Sequence, residues 1–210
     1  MIIIFDFDHT LFSAKKLYLA FQKTFEKLGV DEKLFQETFQ KSKGHGRDYN
    51  PERQFKLIKR EKPEISLKEQ KRTFNKILNQ AEKFVYPEVL TILNEFQKRG
   101  YELFVLTYGE GSFQPRKVDR SKIGKFFKKI LITRDIKKVS DFRKFFKKDE
   151  KTVFVEDNPN VLLSIKTAFP EVITVRINRG EGKYALEKNN KGIDFSIKNM
   201  VKLKRLIKKP

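Results

Sequence analysis

Residues 1–12 read MIIIFDFDHTLF. Ile2 to Phe7 are β-branched, aromatic or, at Asp6, acidic; the apolar run is too short for a helix and is expected to form a buried strand. The run closes on two carboxylates, Asp6 and Asp8. Open α/β sheets keep their ligands at the carboxyl ends of strands, so an acid pair at that position marks a site as well as an element. One residue separates the two acids, which would share a face if the strand continued. Beyond it the chain turns into a loop that can aim both at one cleft. Close carboxylates repel unless a cation or a shared proton intervenes. A hard divalent cation with oxygen ligands, first of all Mg²⁺, meets that need.

Outward from this strand, residues 13 to 84 carry helical signals and no convincing strand. Ser13 is placed to cap a helix whose apolar positions Leu17, Phe21, Phe25 and Leu28 fall on one face, and Gly29 closes it. Asp31 starts a second helix with Leu34, Phe35 and Phe39. A Gly-flanked loop containing His45 and Arg47 follows, then Asn50 as cap with Pro51 in the first helical position. Ser66 and Glu69 form a capping-box pattern ahead of Phe74, Ile77, Leu78 and Ala81. This stretch is expected to be a helical insert.

From residue 85 the pattern alternates between helices and short apolar strands. Pro87 opens a helix that ends at Gly100, and Tyr101 to Leu106 is a strand. Ile130 to Thr133, Thr152 to Val155 and Val172 to Val175 are three more, and Asn158-Pro159 starts a helix directly after Glu156 and Asp157. Five strands with helical crossovers imply an α/β fold with a mostly parallel, doubly wound sheet. Ser196 to Lys209 suit a basic amphipathic terminal helix. The core is expected over 1–12 and 85–210, the insert over 13–84.

Composition narrows the class. The chain has 210 residues, 39% hydrophobic, enough to bury a core. Zero Cys excludes disulfides, thiolate catalysis and Cys-ligated zinc. The first residues are apolar but carry carboxylates and no basic leader, and no run approaches a membrane span, so a soluble, cytoplasmic protein is expected.

Other strand ends repeat the chemistry of the first. Glu156 or Asp157 offers a third acid. Thr107 follows the second strand, and its hydroxyl with the backbone N–H groups of Tyr108 and Gly109 could hold phosphate oxygens. Lys137 and Lys138 follow the third strand and could neutralise such an anion. Four strand ends thus supply acid, hydroxyl, base and acid in order.

These residues resemble the motifs of haloacid dehalogenase-like hydrolases. Asp6-Phe7-Asp8-His9-Thr10 matches the DxDxT motif after its apolar strand, Val105-Leu106-Thr107 resembles the second motif, and Phe154 to Pro159 resembles the acidic fourth motif. The third is a lone lysine, aligned on Lys138 with Lys137 as the alternative and without the usual following proline. The resemblance implies a Rossmann-like core and identifies the insert at 13–84 as a helical cap. It further implies that Asp6 is a nucleophile forming an aspartyl-phosphate and that Asp8 is the proton donor to the leaving oxygen. Mg²⁺ would be held by Asp6, the carbonyl of Asp8 and Asp157, with Glu156 in support, while Thr107 and Lys138 would stabilise the phosphoryl oxygens. Thr10 would orient the Asp8 loop. Members that dehalogenate resemble one another in lacking an acid at the position of Asp8.

Several other residues have ordinary readings. His9 should point away from the two acids, toward packing or hydrogen bonding. Arg47 is a candidate substrate contact in the cap. The stretch Arg179-Gly180-Glu181-Gly182 is sufficiently explained as a turn after the last core strand.

Lys plus Arg number 47 against 27 Asp plus Glu, a net +20. The excess is spread: residues 13–84 carry +8, 85–182 carry +7 and 183–210 carry +7. Residues 116 to 151 alone hold 15 bases and 5 acids. With Phe126, Phe127, Phe145 and Phe146 this segment could be a basic, stacking surface for nucleic acid. The preferred account makes those rings core and the lysines a solvated face. The expected function is a Mg²⁺-dependent phosphatase acting on a small phosphorylated metabolite. The alternatives are a phosphomutase, a phosphatase of nucleic-acid ends, and a non-catalytic nucleic-acid-binding protein on the same fold.

Overall fold

Ile2–Phe5 has no polar side chain to leave in water, and all four of its side chains are fully buried in strand β1. The structure is a computed structural model and describes residues 1–43, 48–109 and 111–207. Five more strands join β1: β2 (Glu102–Tyr108), β3 (Lys129–Thr133), β4 (Thr152–Glu156), β5 (Ile173–Ile177) and β6 (Phe195–Ile197). The sheet order is β3-β2-β1-β4-β5-β6 and every pairing is parallel. β1 and β4 are buried along their whole length, as strands covered on both faces must be.

The sheet carries one strand more than the five expected. Phe195–Ile197 falls in and just before the segment expected to begin the terminal helix, and it pairs with β5. Its first two residues are exposed, as an edge position allows, so no apolar run announces it. The helix itself, α9 (Met200–Leu206), begins only after Asn199, whose side chain accepts the Lys202 N–H.

The chain forms two compact units. The first comprises Met1–Ala14, Val85–Tyr108 and the chain from Ile123 onward; the second comprises Lys15–Phe84 and Gly109–Lys122. In the first unit, register places the chemistry. Phe5 pairs with both Val105 and Val155, so Asp6, Thr107 and Glu156 all fall at the same end of the sheet. The helices α5 (Val89–Lys98), α7 (Val139–Phe142) and α8 (Pro159–Ala168) belong to this unit. The Phe142 ring packs on Phe154 and Phe169 with centroids 5.3 and 5.1 Å apart. Burying such a ring is worth about 1.5–3 kcal/mol. Phe145 is buried beside Phe104, and Phe146, partly buried, packs on Phe169, so both rings are engaged with the core.

The second unit is built from α1 (Ala14–Glu26, whose first residue belongs to the first unit), α2 (Glu32–Ser42), α3 (Pro51–Glu61), α4 (Leu67–Leu78), a 3₁₀ turn at Ala81–Phe84 and α6 (Phe113–Arg120). Local signals set their ends. Asp31 accepts the Leu34 N–H, Asn50 accepts the Arg53 N–H ahead of Pro51, and Ser66 and Glu69 bond reciprocally. Inside, Phe21 stacks on Phe74 with centroids 4.3 Å apart. The insert expected over 13–84 shares this unit with Gly109–Lys122 because Phe113 of α6 meets the rings of Tyr49 and Phe74. Arg116 also donates to Asn75.

Candidate active site

Asp6 is the first residue beyond β1, yet its N–H still donates to the Val155 carbonyl at 2.8 Å. The sheet therefore holds the backbone of Asp6 while its side chain projects from the sheet's end, only 5% exposed. Glu156, the last residue of β4, is equally buried. Asp157 follows it, partly buried, and the carboxylates of Asp6, Glu156 and Asp157 lie with ligand oxygens within 4.8 Å of one another.

The base in this cluster comes from the loop after β3. Thr133 ends that strand; its hydroxyl donates to Asp141 and accepts the Asp135 N–H. Asp135 then accepts from the Lys137 N–H through its side chain and from the Lys138 N–H through its carbonyl. This tight turn leaves Lys138 in the left-handed region at φ 61°. Such a conformation is costly for a residue with a Cβ and persists where the surroundings enforce it. Lys138 is 3% exposed, and its ammonium donates to Asp6 Oδ1 at 2.5 Å and to Glu156 Oε2 at 2.6 Å. Lys137 is exposed. Of the two lysines weighed from sequence, only Lys138 joins the acids.

Burial raises the Asp6 pKa to about 7, with the Glu156 charge adding to the rise and Lys138 opposing it. Burial, then Glu156 and Asp6, likewise push Asp157 well above the carboxylate range. For Lys138 burial acts to lower the pKa, but Asp6 and Glu156 outweigh it and move it up. Three carboxylates against one ammonium leave the cluster with excess negative potential and a donor set made wholly of hard oxygens. A small divalent cation fits both features. Glu156 is already engaged on both oxygens, since Oε1 accepts the Asn158 N–H at 3.2 Å.

Of the other expected residues, Asp8, Thr107 and Tyr108 lie at the same end of the sheet in the first unit. Asp8 is partly exposed, in a turn closed by the Leu11 and Phe12 N–H groups on the Phe7 carbonyl. Thr107 is 1% exposed near the end of β2, Tyr108 ends that strand and Gly109 follows. At Gly109 a Cβ would stand 2.7 Å from the Gln114 side chain, so any larger residue would have to displace Gln114. Thr10 is buried, and the bond that ties it runs from Arg179 to its carbonyl at 2.7 Å, whereas its hydroxyl has no hydrogen-bond partner. Arg47, with His45, lies outside the described residues.

The turn at 179–182 turns out to do more than close a strand. Arg179 pairs with Glu88, and its guanidinium lies 3.8 Å over the Tyr86 ring. Glu181 Oε1 accepts from the Ser13 hydroxyl at 2.7 Å and from the Tyr86 hydroxyl, and lies 3.4 Å from His9 Nδ1. The sequence offers one signal for this role, opposite charges alternating with Gly180 and Gly182, both at positive φ. His9 has the hydrogen-bonding environment expected of it.

A model of the haloacid dehalogenase-like hydrolase family matches residues 3–175. Among solved structures, a haloacid dehalogenase-like hydrolase from Burkholderia xenovorans aligns with a TM-score of 0.75 at 20% identity, over 96% of this chain and 94% of that one. The hydrolase YfnB from Bacillus subtilis, bound to magnesium, aligns at 0.65 and 16% identity over 98% and 97% of the two chains. A predicted phosphoglycolate phosphatase from Haemophilus somnus aligns at 0.62 and 19% over 98% and 96%. The likenesses extend to a β-phosphoglucomutase and an L-2-haloacid dehalogenase, and at these identities they speak to the fold. No curated protein sequence matches the chain.

Proposed function

Because the chain belongs to the haloacid dehalogenase-like hydrolase family, we propose that it hydrolyses phosphate monoesters of a small metabolite with Mg²⁺, through an aspartyl-phosphate. The observation that carries this reading is the buried cluster of Asp6, Glu156 and Asp157 around Lys138. Asp6, Asp157 and the carbonyl of Asp8 would hold the ion, whose positive charge offsets repulsion between an anionic nucleophile and an anionic ester.

In this scheme an Asp6 oxygen attacks phosphorus and the ester oxygen leaves, dividing one hard displacement into two steps. Asp8 protonates the leaving oxygen and then takes a proton from the water that attacks the aspartyl-phosphate. Lys138, fixed between Asp6 and Glu156, offers its ammonium to the charge on the phosphoryl oxygens, and Thr107 adds its hydroxyl. Tyr108 and Gly109 would contribute backbone N–H groups. The helical unit takes the part of the family's cap and sets substrate choice, with Arg47 as a candidate contact. Asp8 favours phosphate transfer over dehalogenation, since carbon–halogen cleavage releases halide and needs no proton donor. A cytoplasmic location accords with a soluble metabolite as substrate, and no described helix is long and apolar enough to cross a membrane.

Turnover of an aryl phosphate in Mg²⁺ by wild type and by Asp6→Asn tests the scheme. Loss of activity in the variant is expected; undiminished activity overturns the assignment. A panel of sugar phosphates, terminally phosphorylated oligonucleotides and 2-haloacids separates the metabolite phosphatase from a phosphomutase, a nucleic-acid-end phosphatase and a dehalogenase.

A further inference from the structure

Glu181 gathers three groups that lie 172, 168 and 95 positions from it in the chain, His9, Ser13 and Tyr86. Ser13 and Tyr86 stand beside the two places where the chain leaves the first unit after Ala14 and re-enters it at Val85. His9 directly follows Asp8. The backbone between these points is already tied, with the Tyr86 N–H on the Leu11 carbonyl at 3.1 Å and Phe12 bridged to Val85. Arg179 adds its bonds to the Thr10 carbonyl and to Glu88. Residues 179–182 thus brace the turn carrying Asp8 and both chain crossings.

The brace acts on a strained residue. His9 sits at φ 56°, a left-handed conformation that is costly for a residue with a Cβ and needs outside support. Glu181 supplies it from one side through Nδ1. Gly182 supplies it by close approach: a Cβ there would lie 2.9 Å from the His9 ring, and its own φ is 85°. Bonds from Tyr86, Ser13 and His9 lower the Glu181 pKa against the effect of burial, so the carboxylate stays ionised as their common acceptor.

We propose that Glu181 is a positioning residue, which through His9, Ser13 and Tyr86 sets the turn from which Asp8 delivers its proton to the leaving oxygen. The inference rests on the assignment of Asp8 as proton donor in the phosphatase reading. It makes a demand that a purely structural brace does not. A misplaced proton donor harms esters whose leaving group needs a proton and spares those whose leaving group does not.

Phenyl phosphate and dinitrophenyl phosphate are both aryl phosphates, and only the first has a leaving group basic enough to need a proton. Each variant is therefore compared with wild type on the same ester. For Glu181→Ala, kcat/KM in Mg²⁺ is expected to fall about ten-fold further on phenyl phosphate than on dinitrophenyl phosphate. Equal falls on the two esters overturn the proposal. Tyr86→Phe and Ser13→Ala, which each remove one donor, serve if Glu181→Ala does not fold. Each should show the same preference in smaller degree, and equal losses again overturn it. Wild-type protein that hydrolyses neither ester overturns the phosphatase reading itself and this inference with it.

Discussion

Lys138 Nζ lies 2.5 Å from Asp6 Oδ1 although the two residues are 132 positions apart in the chain. The contact joins the end of the central strand to a left-handed turn after an edge strand, and a second bond to Glu156 fixes the ammonium from the other side.

Lys138→Met should therefore affect stability and activity together. It leaves Asp6 and Glu156 buried without their cation, and breaking such a pair costs about 3–5 kcal/mol. Loss of the same charge from the phosphoryl site should lower kcat by about 10²–10³. Lys137→Met, an exposed change, should leave both within experimental scatter. Urea melts with aryl-phosphate kinetics on the two variants make the comparison.

The pH dependence of the metal-free protein follows from Asp6. Its pKa in the folded state, about 7, stands above the ordinary 3.8, so the fold binds this proton more tightly than the unfolded chain does. That contribution to stability is complete below about 4 and is lost as pH rises through 7. The Tm of metal-free wild type should fall between pH 5 and pH 8, and Asp6→Asn should flatten the profile. Mg²⁺ should raise Tm more at pH 8 than at pH 5, because at low pH it competes with protons for the same oxygens. Scanning calorimetry with and without Mg²⁺ across this range reads both effects.

Much of this site was legible in the sequence because parallel strands advertise themselves. β1, β2 and β4 are near-continuous apolar runs, and the candidate site residues Asp6, Thr107 and Glu156 stand at or next to their ends. β6 escaped because an edge strand of three residues, two of them exposed, has no such run. The membership of α6 in the helical unit escaped for another reason: it depends on the Phe113 ring meeting Tyr49 and Phe74, a matter of packing that no spacing encodes. Glu181 was hidden by distance, since its partners Ser13 and His9 are 168 and 172 residues away. A charge between two glycines reads as a turn until those partners are seen.

Gly192→Ala should destabilise the protein without touching the acid cluster. A Cβ at Gly192 would stand 2.3 Å from Leu163 Cα and 2.7 Å from its nitrogen, both backbone atoms of α8 that cannot rotate away. The loop must shift from the helix, at a cost of about 1–3 kcal/mol typical of overpacking. A lower urea midpoint with an unchanged slope is the expected result.

The two adjacent acids after β4 should separate cleanly. Glu156 spends one oxygen on Lys138 and the other on the Asn158 N–H, so its carboxylate positions the lysine and the start of α8. Burial and the charges of Glu156 and Asp6 push the Asp157 pKa well above the carboxylate range, an arrangement that a divalent ion would relieve. Asp157→Asn should therefore weaken the Mg²⁺-induced rise in Tm by at least ten-fold in half-saturating concentration. Glu156→Gln should keep that response close to wild type but lower kcat, because the Lys138 ammonium loses a charged partner. Titration of Mg²⁺ followed by thermal shift, alongside kinetics at saturating Mg²⁺, distinguishes the two. If Glu156→Gln abolished the Mg²⁺ response while Asp157→Asn retained it, the ligand and the support would have to be exchanged.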